Sequence, residues 1–538
     1  METRCLFWIA FVVVAMGFFL GSLTLSVAGG GQVFVSPDET ANAFFARRFS
    51  QTGTLRVPDV MTKAFSDALY PRSIVASEGE LVPQSFLGLP VLYGSLAFFF
   101  GPGILFMLTP LLAILCALAL RPLLRRWFSD QVASLSALLF LLHPAVWYYS
   151  ARGLMHSVLF VCLLIFGAYF FFCHPLEHHL ARCEKRFGKM MPFQRQIDPV
   201  VGGVLVGFAL FVRASEVVWV GAAILLLVMV SLRQTSIKKD FGRFLVGLAI
   251  GLLPFFLFNA LTYGNALATG YTLHNSVNAV RSAVQSAPHG SSLFPFGLDL
   301  KASASHIRDY GLMLFWWLTA LALLGFPIVA AKRPWYAVLF VMITVWLGLW
   351  YGSWTFFDNP DPHQITIANS YVRYGLPSFI LAIPFVAEAI GWLSARAQTS
   401  WARGMVVSAL VVLVAGLNVH LIFFQGQDGL SRVRETLLQT RQVKQEVLAQ
   451  IPEDAVIVVD RSDKVFFPER HVRYPLRSDQ TYELLPALAQ AHPLYYFGIT
   501  FPQRDLDYLN ESKLPPLGLN IRYLKTDGEE SLYQFYFP

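Results

Sequence analysis

Two adjacent carboxylates stand in Ser36-Pro37-Asp38-Glu39-Thr40, directly after the first long apolar segment of the chain. That place puts them at a membrane surface. An acid there is either a satisfied surface charge or the working base of an enzyme whose substrates live in lipid, since a fixed carboxylate can take the proton from an attacking hydroxyl. The plainer alternative is a helix start, with Pro37 leading and both acids in the first turn. On that alternative Glu39 answers the positive end of the helix dipole.

The elements that must hold these acids follow from composition. The chain has 538 residues, 55% hydrophobic and 14% charged, with a mean hydropathy of +0.53. Such a balance excludes a single soluble globule and describes a polytopic α-helical membrane protein. Apolar runs fall at residues 6–28, 103–122, 131–150, 154–173, 199–213, 216–232, 243–262, 311–331, 334–350, 371–392 and 404–424. They predict about 11–12 transmembrane helices, the higher figure applying if Leu87 to Phe100 also crosses. Pro90 and Gly101-Pro102-Gly103 argue that this stretch is re-entrant or interfacial instead.

Cations set the orientation. Arg121, Arg125 and Arg126 follow the second span; Arg182, Lys185, Arg186, Lys189 and Arg195 the fourth; Arg233, Lys238, Lys239 and Arg243 the sixth. Lys332 and Arg333, then Arg396 and Arg403, continue the alternation. Short basic loops stay cytoplasmic, so the expectation is a multi-pass cell-membrane protein with its N-terminus inside and its C-terminus outside. The apolar core Leu6 to Leu25 exceeds the usual signal-peptide length and suits an uncleaved anchor. Cys5, Cys116, Cys162, Cys173 and Cys183 fall in spans or on the inner side, which implies no disulfide framework.

Two parts are expected: a membrane-embedded domain over residues 1–424, with its first outer loop at 29–102, and a small extracytoplasmic α/β domain over 425–538. In the latter, Arg432 to Leu448 has helical spacing, and Ala455 to Val459 and Pro493 to Phe497 have the pattern of buried strands. In the first loop, Ala41 to Phe49 suits a helix lying on the membrane. The ligand types in Cys173-His174, His178-His179 and Cys183 match no zinc spacing, and no metal or other cofactor is expected. Asp358-Asn359-Pro360-Asp361-Pro362-His363 is a turn-forming string near Arg373, available for an acceptor contact. Nothing points to nucleic acid.

Pro37-Asp38-Glu39-Thr40, an amphipathic helix ending Phe49-Ser50-Gln51-Thr52-Gly53, and then Val57-Pro58 resemble the first outer loop of GT-C glycosyltransferases. The likeness is to the branch of protein O-mannosyltransferases and the lipid A aminoarabinose transferase. Gly264-Asn265-Ala266 and Arg373-Tyr374-Gly375-Leu376-Pro377 fall in the order that this branch implies. The resemblance implies transfer of a sugar from a polyprenyl-phosphate carrier to an acceptor on the outer face, with inversion. Asp38 is then the base, and Glu39 a helper or a helix cap.

A departing lipid phosphate gains charge, so cations are expected beside it. Arg213 interrupts the apolar stretch Val200 to Val230, and the half before it is too short to cross comfortably, which predicts a recessed turn. An ion pair with Glu216 at i+3 is its alternative, worth a few tenths of a kcal/mol on an exposed helix. Arg373, framed by Tyr371 and Tyr374, either grips phosphate bidentately or snorkels. His274 can reach a phosphate or sugar, or be merely solvated. Where the relatives carry a second acid, this chain has His156, with Arg152 a further cation nearby; loss of that acid disfavours a bridging divalent metal. No phosphate-binding glycine loop is present for a soluble nucleotide sugar. The competing classes are a transporter or lipid flippase, with Arg213 and Glu216 lining a pathway, and an O-antigen ligase or polymerase of the other GT-C type. The sequence names neither sugar nor acceptor; lipid, glycan and protein all remain.

Overall fold

A computed structural model describes residues 2–173, 197–231, 235–276, 294, 297–356, 358 and 364–538, and in it the apolar runs become helices. Seven are single helices long and apolar enough to cross a membrane: Phe7–Gly29, Pro102–Arg125, His156–Cys173, Lys239–Tyr263, Pro334–Gly352, Leu376–Ser394 and Ser400–Phe424. Three more candidates are bent pairs: Asp130–Leu142 with Pro144–Ala151 at 44°, Ile197–Val212 with Ala214–Val230 at 114°, and Leu300–Met313 with Trp316–Lys332 at 94°. Among the described residues this gives up to ten spans when each pair counts once. The expectation of about eleven counted the two arms of the 114° bend separately. Each arm is only about 24 Å long, short of the roughly 30 Å of hydrocarbon that a single spanning helix must cross.

Local chemistry accounts for the bends. Pro144 forces His143 out of the helix, and the His143 ring caps the second piece by accepting the Ala145 N–H at 3.2 Å. At the sharpest bend Arg213 takes φ −147° and ψ 83°, leaving the helix altogether. The first arm of that bend, Ile197–Val212, approaches the span Lys239–Tyr263 through glycine. A Cβ on Gly247 would lie 2.0 Å from the Val200 carbonyl oxygen, and one on Gly203 would lie 2.0 Å from that of Phe244. Small residues spaced four apart let backbones meet in lipid, where no hydrophobic drive between helices exists.

The helix Gly88–Phe100 spans 13 residues, about 20 Å, and is too short to cross. The helix Pro37–Thr52 forms as its pattern suggests, but it does not lie bare on a membrane. Phe45 is fully buried and Phe44 meets Phe467 edge to face at 4.8 Å, so the apolar side faces protein. Strands β1 (Val57–Pro58), β2 (Ile74–Ser77) and β3 (Glu80–Pro83) follow as an antiparallel sheet in the order β1-β3-β2.

Beyond the last span come the helix Leu430–Gln450 and strands β4 (Val456–Val459), β5 (His471–Arg473), β6 (Leu494–Ile499), β7 (Asn520–Asp527) and β8 (Glu530–Tyr536). The sheet order is β5-β4-β6-β8-β7, with β4 parallel to both neighbours and β8 antiparallel to β6 and β7. One hydrophobic cluster joins Phe45, Leu87 and Phe211 to Ile457, Phe466 and Phe497. The sheet domain therefore shares a core with the membrane part. Cys116, Cys162 and Cys173 are free thiols. The basic residues Arg182 to Arg195 and Arg233, the residues His174, His178, His179 and Cys183, and the string Asn359 to His363 lie outside the described residues, as do the side chains of Cys5 and Lys238.

Gly247→Ala should lower the melting temperature of the detergent-solubilised protein, because its Cβ must push a backbone carbonyl aside. A cost of about 1–3 kcal/mol is expected for overpacking of this kind. An unchanged melting curve would show that these helices are free to separate.

Candidate active site

The helix start is real, and it separates the two acids. Ser36 caps the helix by accepting the Glu39 N–H, while Glu39 Oε2 accepts the Ser36 N–H at 3.0 Å and the Ser36 hydroxyl at 2.9 Å. The same Oε2 accepts Arg152 Nη2 at 2.9 Å and Nε at 3.3 Å. Both members of that ion pair are almost wholly buried, with side-chain exposures of 6% for Arg152 and 5% for Glu39. Asp38, one residue earlier, keeps 35% of its side chain exposed and points elsewhere. Its Oδ1 accepts the Ser73 hydroxyl at 2.6 Å and its Oδ2 accepts Arg373 Nη1 at 3.0 Å.

Burial works against the Asp38 anion, but the Arg373 guanidinium and the Ser73 hydroxyl outweigh it, with His156 adding to them. The net effect holds the carboxyl below its usual value of 3.8. Asp38 is anionic at neutral pH.

Arg373 sits in the short helix Ser370–Tyr374, capped by Asn369 Oδ1 accepting the Tyr371 N–H at 3.1 Å. It donates to the Tyr374 hydroxyl at 3.3 Å and to Met155 Sδ at 3.5 Å, and its buried Nε has no hydrogen-bond partner among the described residues. Its guanidinium carbon lies 4.9 Å from the Tyr374 ring centre, and that of Arg213 lies 4.8 Å from the same ring. One aromatic ring thus contacts both cations. Tyr374 in turn stacks on Tyr351 at 4.2 Å.

The Arg213–Glu216 ion pair does form, at 2.5 Å. It is not a pair on an exposed helix. Arg213 also donates to the Tyr351 hydroxyl at 3.0 Å and to Ser157 at 3.4 Å, and Glu216 accepts from Tyr351 at 2.6 Å and from Trp219 at 2.5 Å. Buried charges of this kind persist only with such full hydrogen bonding. His156 is bonded through Nε2 to the Phe86 carbonyl at 3.0 Å and lies within electrostatic reach of Asp38, Arg213 and Arg373.

Asp38, Arg373, Tyr374, Arg213 and His156 therefore form one cluster, and Glu39 with Arg152 lies behind it as a closed pair. The side chain of His274 lies outside the described residues, but Tyr271 of the same segment is half-exposed and feels the charges of Asp38, Arg373 and Arg213. Sequence reasoning did not single out Ser73, Tyr271 or Tyr351. Tyr351 stands at a span end, where an aromatic residue looks like an interfacial anchor. Ser73 carries no sequence signal at all.

An apolar cavity of about 220 Å³ opens between the helices, lined by Val161, Val206, Trp219, Ala223, Leu339 and Pro377 among others and not by the cluster residues themselves. Among the described residues, no group of three or more His, Cys, Asp and Glu side chains is arranged to hold a metal ion.

The sequence matches no protein-family model and no curated protein. Among solved structures the chain is similar to ArnT from Cupriavidus metallidurans bound to undecaprenyl phosphate, with a TM-score of 0.50 at 12% identity, covering 99% of this chain and 98% of that one. Apo ArnT from the same organism gives 0.47 at 14% identity, with the same coverage. The archaeal oligosaccharyltransferase AglB from Archaeoglobus fulgidus, in complex with an inhibitory peptide and a dolichol-phosphate, gives 0.47 at 11% identity over 100% of this chain and 74% of that one. The likeness to undecaprenyl phosphate-bound ArnT shows the fold alone: this chain has the GT-C fold of a multi-pass helical membrane protein.

Glu39→Ala should destabilise the protein by about 3–5 kcal/mol, the cost of leaving a buried partner charge alone. The double variant Glu39→Met/Arg152→Met should recover much of that loss. Thermal melts of the three proteins decide the matter; a silent Glu39→Ala would mean that the pair holds nothing in place.

Proposed function

We propose that the protein is an integral-membrane glycosyltransferase that moves a sugar from a polyprenyl-phosphate carrier to an acceptor hydroxyl at the outer face of the membrane, with inversion. The observation that carries this reading is the 3.0 Å contact between the Asp38 carboxylate and Arg373, with Arg213 against the same Tyr374 ring. A base and two phosphate-binding cations are what the reaction needs in one place. The structural likeness to a GT-C protein solved with undecaprenyl phosphate supports the choice of carrier. The apolar lining of the cavity between the helices suits a prenyl chain.

The chemistry follows from those groups. The acceptor oxygen attacks the anomeric carbon from the face opposite the phosphate, so a single displacement inverts the configuration. As the new C–O bond forms, the hydroxyl proton passes to Asp38. The bond from the anomeric carbon to the phosphate oxygen breaks, and the lipid phosphate leaves with an added negative charge that Arg373 and Arg213 stabilise. Arginine suits this task because its planar fork binds two phosphate oxygens at once. In the free protein Arg373 is spent on Asp38; a bound phosphate draws the guanidinium away and returns basicity to the carboxylate when the acceptor arrives. His156 and Tyr271 stand where they can orient sugar or phosphate. The scheme is written without a metal, and the acceptor class is left open.

Full-length protein in lipid nanodiscs, given undecaprenyl-phosphate hexoses and pentoses with a lipid, glycan or peptide acceptor, should form glycoside. Asp38→Asn should reduce kcat by roughly 10²- to 10⁴-fold. Wild-type turnover that survives Asp38→Asn would end the assignment of the base, and carrier movement across the bilayer without glycoside would favour a flippase.

The depressed Asp38 value fixes the sign of the pH dependence. A lowered pKa keeps the base ionised until the medium becomes acidic, so the acid limb of kcat/KM for wild type should lie below 3.8. Arg373→Gln removes the strongest lowering influence and should carry that limb upward. A limb that stays put would show that another group titrates.

Orientation is testable separately. Cysteine placed at Val60, which is 86% exposed, should react with an impermeant maleimide from outside intact cells, and cysteine at Arg126 only after permeabilisation. Labelling of both from one side would invert or break the proposed topology.

A further inference from the structure

Ser73, whose hydroxyl meets Asp38, has φ +65°, a left-handed conformation that costs energy in a residue other than glycine. Something must hold it there. Its neighbour Arg72 is tied to Asp463 of the C-terminal domain by three hydrogen bonds: backbone N–H to Oδ2 at 2.7 Å, Nε to Oδ1 at 3.0 Å and Nη2 to Oδ1 at 2.5 Å. Nη2 also donates to the Arg461 carbonyl at 2.6 Å. Asp463 is fully buried. The next residue, Lys464, donates to the carbonyl of Val35, immediately before the Ser36 cap of the helix that carries Asp38.

Two consecutive residues of one turn therefore hold both stretches of chain that meet at Asp38. The turn itself is anchored by Phe466, fully buried, and by Phe467 against Phe44. We infer that Asp463 and Lys464 are positioning residues for the Asp38 base, so that the C-terminal domain forms part of the catalytic apparatus through the Arg72–Ser73 hinge. The inference rests on the glycosyltransferase reading above, and it deepens that reading by giving the sheet domain a task.

The charges around Asp38 are otherwise supplied by separate elements. Arg373 comes from the helix Ser370–Tyr374, His156 from the head of its span, Tyr271 from the segment after Tyr263, and Arg213 from the 114° bend. The closed Glu39–Arg152 pair lies alongside. None of these is bonded to Asp463, so a loosened hinge removes the Ser73 hydroxyl from the carboxylate and leaves the other groups where they are.

The test uses full-length protein and whichever undecaprenyl-phosphate sugar is turned over. Ser73→Ala deletes one oxygen atom and should raise the acid limb of kcat/KM by about one pH unit, with a roughly tenfold lower kcat and little change in KM for the lipid. Asp463→Ala, or the milder Arg72→Gln should Asp463→Ala fold poorly, should produce the same displacement. The double variant with Ser73→Ala should be no worse than the stronger single, because both act through one hydrogen bond. An acid limb unmoved by Asp463→Ala and Arg72→Gln, or effects that multiply, would overturn the inference.

Hydrogen–deuterium exchange over residues 71–77 reads the hinge without substrate. Protection should fall in Asp463→Ala and persist in Ser73→Ala. Unchanged protection in Asp463→Ala overturns the hinge whether or not turnover is seen. Absence of wild-type turnover with every donor would instead count against the glycosyltransferase reading, and the exchange result alone would then decide the hinge.

Discussion

The contact between Asp38 and Arg373 joins residues 335 positions apart, and most of the fold near the membrane edge can be understood as keeping that contact at the right strength. A carboxylate and a guanidinium left alone in a low-dielectric setting collapse into a tight, fully bonded pair. Here they do not. One nitrogen of Arg373 reaches Asp38, a second goes to Tyr374, and the buried Nε has no partner among the described residues. The aromatic ring of Tyr374 lies against the Arg373 guanidinium, and its stacking on Tyr351 ties it to the Arg213 network.

The adjacent acid shows the opposite solution. Glu39 gathers the Ser36 backbone N–H, the Ser36 hydroxyl and two nitrogens of Arg152 on its single oxygen Oε2, which holds it in the helix cap. A helix turn rotates the side chain by about 100° per residue, so neighbours in sequence face different surroundings. That rotation divides the pair: the third helical position closes the capping box, and the second faces outward toward Ser73 and Arg373. The same Pro-Asp-Glu string is thus both a helix start and an open acid.

How much of this was legible in the sequence depends on range. The spans were, because each apolar run is its own signal. So was the helix break at Arg213, because a charge in the middle of Val200 to Val230 interrupts the apolar run. The acids and Arg373 could be named, and the structure brings Asp38 and Arg373 into contact. What escaped were the long-range partners. The apolar side of Pro37–Thr52 suggested a membrane surface, yet Phe44 meets Phe467, more than 400 residues later. Ser73 escaped because a left-handed serine between ordinary loop residues leaves no periodicity or composition to detect.

Arg213 and Glu216 raise the question of why a protein would bury a charged pair deep in its membrane part. Well-packed apolar side chains of similar volume would often hold a fold at least as well. The pair is instead elaborated with Tyr351, Trp219 and Ser157, and it sits at a helix break whose first arm, Ile197–Val212, is pinned against Lys239–Tyr263 by glycine contacts that admit no Cβ. Rigidity of that kind costs foldability and yields a cation fixed to within a hydrogen bond. Tyr374 transmits the placement to Arg373, since both guanidiniums touch its ring. Asp38 is the least constrained member of the cluster: it has the most exposed side chain of those in the two ion pairs nearest it. On the proposed reaction, that exposed carboxylate is the member of the cluster that an acceptor hydroxyl can approach.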